Sequence, residues 1–203
     1  MSAPTVGVLA LQGAFVAHER ALRQLGVTTQ QVRTPAHLAE VQALVMPGGE
    51  STTMSKLLVT SGIFDALQTR LADGLSVFGT CAGMILLAAE VLDGLPDQRS
   101  FAAIDIGVRR NGYGRQVDSF EADIAVRGLR EPVRAVFIRA PAIVAYGPTV
   151  AVLATVPGRD AAVVVAVRQD KILATAFHPE LTNDPRWHRL FLAIVAGDAR
   201  AAH

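Results

Sequence analysis

The chain changes from a strand pattern to a helix pattern within one stretch, Val77-Phe78-Gly79-Thr80-Cys81-Ala82-Gly83-Met84. Small residues lie on both sides of Cys81, so the backbone can turn sharply there and present one side chain at the tip. A thiol at the start of a helix also lies in the partial positive charge of the helix N-terminus, which favours the thiolate. The stretch therefore predicts a strand-to-helix elbow that carries a nucleophile.

A second candidate element, His178-Pro179-Glu180, follows about a hundred residues later. The proline favours an extended conformation for His178, and residues two apart in an extended segment point the same way. We therefore expect both side chains to face one cleft, with His178 as a base and Glu180 orienting its imidazole. One cysteine with a distant histidine and acid is typical of enzymes with a cysteine nucleophile.

A glycine-rich turn, Pro47-Gly48-Gly49, is the third element. The N–H of Gly49, together with that of Ala82, is a candidate pair of donors for an oxyanion. Each of the three elements also has a simpler interpretation. Cys81 could be a small buried hydrophobe, Pro47-Gly48-Gly49 a plain turn, and His178-Pro179-Glu180 a loop.

Short apolar strands alternate with helices in the first half of the chain. The predicted strands cover residues 5–10, 27–33, 43–46 and 75–78, and the predicted helices cover 14–25, 51–58, 64–72 and 81–91. The hydroxyls of residues 51–53 are candidate caps for the second helix. This alternation predicts a parallel sheet covered on both faces. The loops that follow its strands, Gln12-Gly13, Gly48-Gly49-Glu50 and Gly79-Thr80-Cys81, should then meet at one rim.

The second half contains strand patterns with few helices between them. These strands cover residues 104–109, 120–126, 134–138, 150–156, 162–167 and 172–177, and they predict a mixed or antiparallel extension of the sheet. Asp184 is the predicted cap of a closing helix, with Pro185 at its first position and Val195 near its end. Because we find no linker, repeat or low-complexity segment, we expect residues 1–203 to form a single domain.

Composition narrows the function classes. The 203 residues are 51% hydrophobic with a net charge of +1, which is enough apolar material for one sizeable core. The lack of a basic run argues against nucleic-acid binding. No stretch is long enough to span a bilayer, so we expect a cytoplasmic protein away from membranes.

The single cysteine excludes an internal disulfide. The histidines other than His178 are scattered without metal-ligand spacing, so no metal site is predicted; they are His18, His37, His188 and His203.

The three elements together resemble the class I (triad) glutamine amidotransferases. Further stretches resemble one branch of that family, the glutaminase subunits of pyridoxal 5′-phosphate synthases. These stretches are Val8-Leu9-Ala10-Leu11-Gln12-Gly13, Pro47-Gly48-Gly49-Glu50-Ser51-Thr52-Thr53-Met54, Arg110-Asn111-Gly112-Tyr113-Gly114-Arg115-Gln116-Val117-Asp118-Ser119-Phe120-Glu121, Phe137-Ile138-Arg139-Ala140-Pro141 and Ala176-Phe177-His178-Pro179-Glu180-Leu181-Thr182. The resemblance implies an α/β, three-layer αβα fold that is flavodoxin-like, with a mostly parallel central sheet and a mixed or antiparallel extension.

The resemblance also implies a role for each site residue. Cys81 would attack the side-chain amide of L-glutamine and form a glutamyl thioester, His178 would move the protons, and Glu180 would orient His178. Gly49 and Ala82 would form the oxyanion hole. The residues expected to hold glutamine are Gly49, Glu50, Ser51, Arg110, Ile138 and Arg139. Which arginine takes the substrate carboxylate stays open, and on the simpler interpretation Arg110, Arg115 and Arg139 are solvated surface charges.

The partner implied by the resemblance is the larger barrel subunit of pyridoxal 5′-phosphate synthase, which would use the ammonia. Gln12 and Gly13 resemble a family segment that reorganises when that subunit docks, and no cofactor is expected on this chain. Two alternatives remain open. A glutaminase subunit of the histidine pathway would share the triad and serve another acceptor, whereas a non-catalytic flavodoxin-like binding or stress protein would lack the matched histidine and acid.

Overall fold

The computed structural model describes residues 4–110, 112, 119–158 and 161–198. Much of one stretch that carried the resemblance, namely Asn111 and residues 113–118, lies outside the described residues, as does His203. Within the described ranges, no helix combines the length and the apolar character needed to cross a bilayer.

Apart from one additional short helix, strands and helices alternate as predicted as far as the elbow at Cys81. Up to and just beyond the elbow, the elements are β1 (Val6–Leu9), α1 (Phe15–Gln24), β2 (Thr29–Val32), α2 (Pro35–Ala39), β3 (Ala43–Met46), α3 (Ser51–Thr60), α4 (Ile63–Ala72), β4 (Ser76–Thr80), α5 (Ala82–Leu87) and β5 (Ala88–Val91). Strands then dominate. The remaining elements are β6 (Ile104–Arg109), β7 (Ser119–Ile124), β8 (Val133–Ile138), β9 (Ala142–Tyr146), β10 (Ala151–Val156), β11 (Val163–Gln169), β12 (Ile172–Thr175), a 3-10 turn (Pro179–Leu181) and α6 (Arg186–Val195).

The main sheet has seven strands in the order β10-β11-β12-β4-β3-β1-β2. The strands from β12 to β2 are parallel to one another, whereas β11 pairs in the antiparallel sense with both β10 and β12. Counted along the chain, the five parallel strands lie in the order 2-1-3-4-5, which is the flavodoxin-like arrangement. The predicted mostly parallel sheet with an antiparallel extension is thus confirmed. The strands predicted over residues 104–109, 120–126 and 134–138 are not part of this extension, because they form two small sheets of their own, β5-β6-β9 and β7-β8.

Helices cover both faces of this sheet, as the alternation along β4 shows. The Phe78 ring meets His18 of α1 at a centroid distance of 6.3 Å and Phe191 of α6 at 5.7 Å. The next residue, Gly79, faces the opposite side, where its Cα lies against Leu87 and Gly83 of α5. Successive residues of a strand point to opposite faces, so α1 and α6 lie on one face and α5 on the other. The predicted three-layer architecture is confirmed.

The helix predicted over residues 81–91 is wrong beyond Leu87. The carbonyls of Leu86 and Leu87 accept hydrogen bonds from Phe101 N at 2.7 Å and Ala103 N at 2.8 Å. A continuing helix would need those carbonyls for its own N–H groups four residues later. The chain instead leaves the helix and pairs as β5 with β6.

The helix starts also differ from the predicted ones. The cap of α3 is the side chain of Glu50, which accepts hydrogen bonds from Thr52 N and Thr53 N, and not a hydroxyl of residues 51–53. The closing helix begins at Arg186, one residue later than predicted, although Asp184 Oδ1 does accept from Arg186 N at 3.0 Å. Helix α2 and strand β9 were not predicted. A Thr34 cap followed by Pro35 was the available signal for α2.

We predict that Gly83→Ala destabilises the protein and displaces the elbow. A Cβ on Gly83 would collide with the carbonyl group of Met46, and this atom belongs to the backbone of β3, which cannot rotate away. Overpacking of this kind costs about 1–3 kcal/mol, more than the roughly 1 kcal/mol that alanine gains over glycine in a helix. The free energy of unfolding, measured in urea, should therefore fall.

The matched control is Gly107→Ala in β6. A Cβ there would find Ala145 Cβ at 3.4 Å and nothing closer, which is an ordinary contact. Its unfolding midpoint should stay near that of the wild type. Equal midpoints for the two variants would show that the close approach of α5 to β3 is not needed.

Candidate active site

Four loops meet at the carboxyl edge of the main sheet, after the adjacent strands β1, β3, β4 and β12. They line one cleft of about 340 Å³. Its lining residues are Gly13, Ala14, Gly48, Gly49, Glu50, Ser51, Cys81, Ile85, Arg110, Ile138, Arg139, His178 and Leu181. The structure thus brings most of the candidate site residues to one place.

Cys81 lies at the turn between β4 and α5, with φ 49° and ψ −106°. A positive φ is rare for a residue with a Cβ and marks a strained turn of the kind that presents a nucleophile. The Cys81 N–H donates to Thr175 O of β12 at 2.8 Å, which fixes the turn against the neighbouring strand. The side chain is buried except for a small fraction, and it lines the cleft.

His178 and Glu180 form a hydrogen bond of 2.7 Å between Nδ1 and Oε1. The expected extended segment is only part of the reason, because Glu180 lies in the 3-10 turn that Pro179 begins. The main chain of His178 is held by β8, since its N–H donates to Val136 O at 2.9 Å. With Nδ1 donating to the carboxylate, the second ring nitrogen, Nε2, is left for other partners.

Gly48 brings Cys81 and His178 together. A Cβ on Gly48 would lie 3.0 Å from His178 Nδ1 and 3.2 Å from Cys81 Cβ, and it would collide with His178 Cε1. Both side chains therefore pack on the bare Cα of this glycine. Burial lowers the pKa of His178, but hydrogen bonds and charge interactions with Cys81 and Glu180 outweigh it and raise that pKa to about 10. The site thus favours an imidazolium beside the sulfur.

The turn at Gly48 and Gly49 is held by the preceding loop. Gln12 Oε1 accepts a hydrogen bond from Glu50 N at 3.2 Å. Gly13, at φ 88°, lies so close to Gly48 that a Cβ would collide with the Gly48 carbonyl. The Gln12–Gly13 loop therefore packs directly on the turn that carries the candidate oxyanion donor Gly49. The second candidate donor, Ala82, is the first residue of α5 and is buried.

Charged side chains line the rim of the cleft. Arg110 Nη2 donates to Glu50 Oε1 at 3.0 Å, and the Arg110 N–H donates to Asp93 Oδ1. Burial raises the pKa of Glu50, but hydrogen bonds from Thr52 and Thr53 outweigh it and lower that pKa to about 2. Arg139 is exposed at the end of β8, with φ 42°.

Sequence reasoning missed two buried histidines behind Glu180. His18 of α1 and His188 of α6 have no exposed surface, and the Nε2 of His18 lies 3.3 Å from Glu180 Oε2. The only hint in the sequence was the position of His18 in α1. It lies four residues before Leu22, so it shares the apolar face of that helix. A histidine on such a face needs a polar partner, which the sequence alone does not name.

The assembled groups are those needed for acyl transfer. The Cys81 thiol, the His178 imidazole and Gly49 line one cleft, whose rim offers two guanidinium groups and a carboxylate. Of the other predicted site residues, Glu180 lies behind His178, and Gln12 and Ala82 do not line the cleft. Nucleophile, base and orienting acid in this arrangement cleave esters, thioesters or amides by way of a covalent intermediate.

Known proteins share this sequence and this fold. The chain is 57% identical over 199 residues to a protein of Acidothermus cellulolyticus named pyridoxal 5′-phosphate synthase subunit PdxT, covering 97% of this chain and 96% of that protein. The protein of the same name from Mycobacterium leprae is 55% identical over 202 residues, covering 98% of this chain and all of that protein.

Solved structures agree. A crystal structure described as a glutamine amidotransferase superposes with a TM-score of 0.87 at 49% identity, covering 94% of this chain and 98% of that chain. Another glutamine amidotransferase, from Thermotoga maritima, shares the fold with a TM-score of 0.61 at 14% identity, covering 100% of this chain and 97% of that chain. The model of the SNO glutamine amidotransferase family matches residues 8–196. The chain belongs to the SNO glutamine amidotransferase family.

Proposed function

We propose that this chain is the glutaminase subunit of a pyridoxal 5′-phosphate synthase, which hydrolyses L-glutamine to L-glutamate and ammonia for its partner. The observation that carries the proposal is the Cys81–His178–Glu180 constellation at the carboxyl edge of the sheet, with its 2.7 Å bond between His178 and Glu180. The proposal is supported by nearly full-length relatives named as subunits of that synthase.

The reaction uses Cys81 as the nucleophile. Its thiolate attacks the side-chain carbonyl carbon of glutamine, and the carbonyl oxygen becomes an oxyanion that the N–H groups of Gly49 and Ala82 stabilise. Removing one such donor typically costs about 3 kcal/mol of barrier stabilisation. The intermediate collapses to a γ-glutamyl thioester as the C–N bond breaks, and His178 gives its proton to the departing ammonia.

Hydrolysis of the thioester reverses the proton transfer. His178, now neutral, takes a proton from water, and the resulting hydroxyl oxygen attacks the thioester carbonyl. The C–S bond breaks, glutamate leaves, and the thiolate with its imidazolium is restored. Glu180 keeps the imidazole oriented throughout, through the bond at Nδ1.

The charged rim fits the two ends of an amino acid. Glutamine carries an α-carboxylate and an α-ammonium, and the cleft is lined by cations and an anion of opposite sign to these groups, namely Arg110, Arg139 and Glu50. Arg110 is already paired with Glu50, whereas Arg139 makes no ion pair within the part of the chain that the structure describes. We assign the substrate carboxylate to Arg139 on that ground. Gly49, Ser51 and Ile138 would complete the binding site.

The partner is the barrel subunit of the synthase, docked over the cleft. Ammonia would be protonated in bulk water, so its transfer needs a shielded passage between the subunits. Apolar side chains surround the opening: Ile138 and Leu181 line the cleft and are 38% and 49% exposed. The Gln12–Gly13 loop, which packs on the Gly48 turn, would carry the effect of docking to the oxyanion donors. We also infer that residues 1–203 act as one domain, in the cytoplasm.

Replacing the sulfur tests the chemistry. We predict that Cys81→Ala abolishes ammonia release from glutamine, measured with the partner synthase subunit present, because no thioester can form. Folding should be nearly unchanged, since a thiol-to-methyl change removes little volume. Circular dichroism and glutamine binding by calorimetry are the controls. Ammonia release at the wild-type rate from clean Cys81→Ala protein would exclude the thioester route.

Arg139→Gln tests the assignment of the substrate carboxylate. A hydrogen bond between charged groups is worth about 1.5–3 kcal/mol, so we predict that KM for glutamine rises roughly 10-fold or more while kcat changes little. The matched control is Arg130→Gln, which removes an exposed cation from the loop between β7 and β8, outside the cleft. Equal KM values for the two variants would move the assignment to Arg110.

A further inference from the structure

The second oxygen of Glu180 faces a buried pair of histidines, His18 and His188. His18 Nδ1 lies 2.9 Å from His188 Nε2, and His18 Nε2 lies 3.3 Å from both Glu180 Oε2 and Thr80 Oγ1. The side chains of His18 and Glu180 have no exposed surface, and His188 is fully buried as a residue. A line of polar groups thus continues from Cys81 through His178, Glu180 and His18 to His188.

The surroundings fix the proton positions in this line. A lone pair on His18 Nε2 would face a carboxylate oxygen at 3.3 Å, so the proton of neutral His18 belongs on Nε2. Its Nδ1 is then an acceptor, and the proton between the two rings must come from His188 Nε2. His188 Nδ1 is left as a bare lone pair, and this atom has no hydrogen-bond partner among the described residues. The opposite tautomers would bury an unpaired N–H there instead.

Burial keeps both rings neutral. Burial lowers the pKa of His18. The negative charge of Glu180 raises that pKa, whereas the positive charge of His178 lowers it further. Burial also lowers the pKa of His188, to about 3, with a smaller contribution from His18. The titratable groups facing His18 are therefore Glu180 and His178 on one side and His188 on the other. The uncharged Thr80 hydroxyl completes its surroundings.

The two carboxylate oxygens of Glu180 have different surroundings. Its Oε1 accepts from His178, whereas Oε2 makes no well-aligned hydrogen bond within the described ranges and lies 3.3 Å from His18 Nε2, which also contacts Thr80 Oγ1. Burial raises the pKa of Glu180, and the hydrogen bond and charge of His178 lower it again, whereas a neutral His18 can contribute only its N–H dipole. Without His18, the buried Oε2 would lose this neighbouring nitrogen, and the loss of a polar neighbour is costly for a buried ionised group.

We propose that His18, supported by His188, is a positioning residue for glutamine hydrolysis: its Nε2–H holds Glu180 so that Glu180 holds His178 toward Cys81. The proposal rests on the proposed glutaminase function. Because His188 Nδ1 ends the line inside the core, the pair is a support and not a proton path to solvent.

The first test is NMR of the ring nitrogens in the wild-type protein, which requires neither activity nor a variant. Two-bond ¹H–¹⁵N spectra distinguish a proton on Nε2 from one on Nδ1. We expect both His18 and His188 to remain neutral with the proton on Nε2 between about pH 8 and pH 5.5. A proton on His18 Nδ1, or titration of either ring in that range, would overturn the proposal.

The second test compares His18→Leu with His18→Gln in the complex with the synthase subunit. Leucine removes the donor, whereas the glutamine amide nitrogen can reach the position of Nε2. In His18→Leu, we expect kcat to fall on the order of 10- to 100-fold, while KM for glutamine stays within about twofold of the wild-type value. In His18→Gln, most of the lost kcat should be recovered. The acid limb of the pH profile should move to higher pH in His18→Leu, because Glu180 becomes easier to protonate.

Leu22→Val is the matched control, since Leu22 is equally buried one turn further along α1. It should lower the unfolding midpoint without changing kcat or the pH profile of the folded protein. Wild-type kcat and pH profile in folded His18→Leu would overturn the positioning role. Failure of the proposed function is distinguishable, because the wild-type complex itself would then release no ammonia.

Discussion

The parallel pairing of β4 with β12 is the constraint on which the site depends. It places Thr80 beside Thr175, so the residues that follow, Cys81 and His178, leave the sheet side by side although 97 positions separate them in the chain. The bond from Cys81 N to Thr175 O closes the pairing at the point where the strands end. The register of a buried parallel sheet is strongly specified. The backbone pairing alone therefore places the nucleophile close to its base.

Three glycines allow the segments around the cleft to approach one another closely. Gly48 receives both Cys81 and His178 on its Cα, Gly83 allows α5 to touch the carbonyl of Met46, and Gly13 lies against Gly48. In each case a Cβ would occupy space that another group already fills. Close contacts between main chains thus form the cleft, and this packing fixes the positions of its polar groups.

Sequence reasoning reached the parallel half of the fold because its strands are short apolar runs that end in glycine or polar turns. It failed at β5, where Leu86 and Leu87 hydrogen-bond to a segment some fifteen residues later and end the helix early. Such a distant partner cannot be predicted from the local periodicity of the sequence.

Cys81 and Glu180 could be predicted because the residues next to each of them form a recognisable local pattern. His18 carried none beyond its place on an apolar helix face, since Glu180 and His188 come from distant parts of the chain.

The elbow that presents Cys81 has a practical consequence, because this residue is the only cysteine in the 203 residues. Any reagent that alkylates thiols has a single target on the polypeptide, and that target lines the cleft. The stoichiometry of labelling therefore counts open clefts directly, with no background from other sulfhydryls. A molecule that fills the cleft should slow the labelling, which makes the same atom an internal reporter of occupancy.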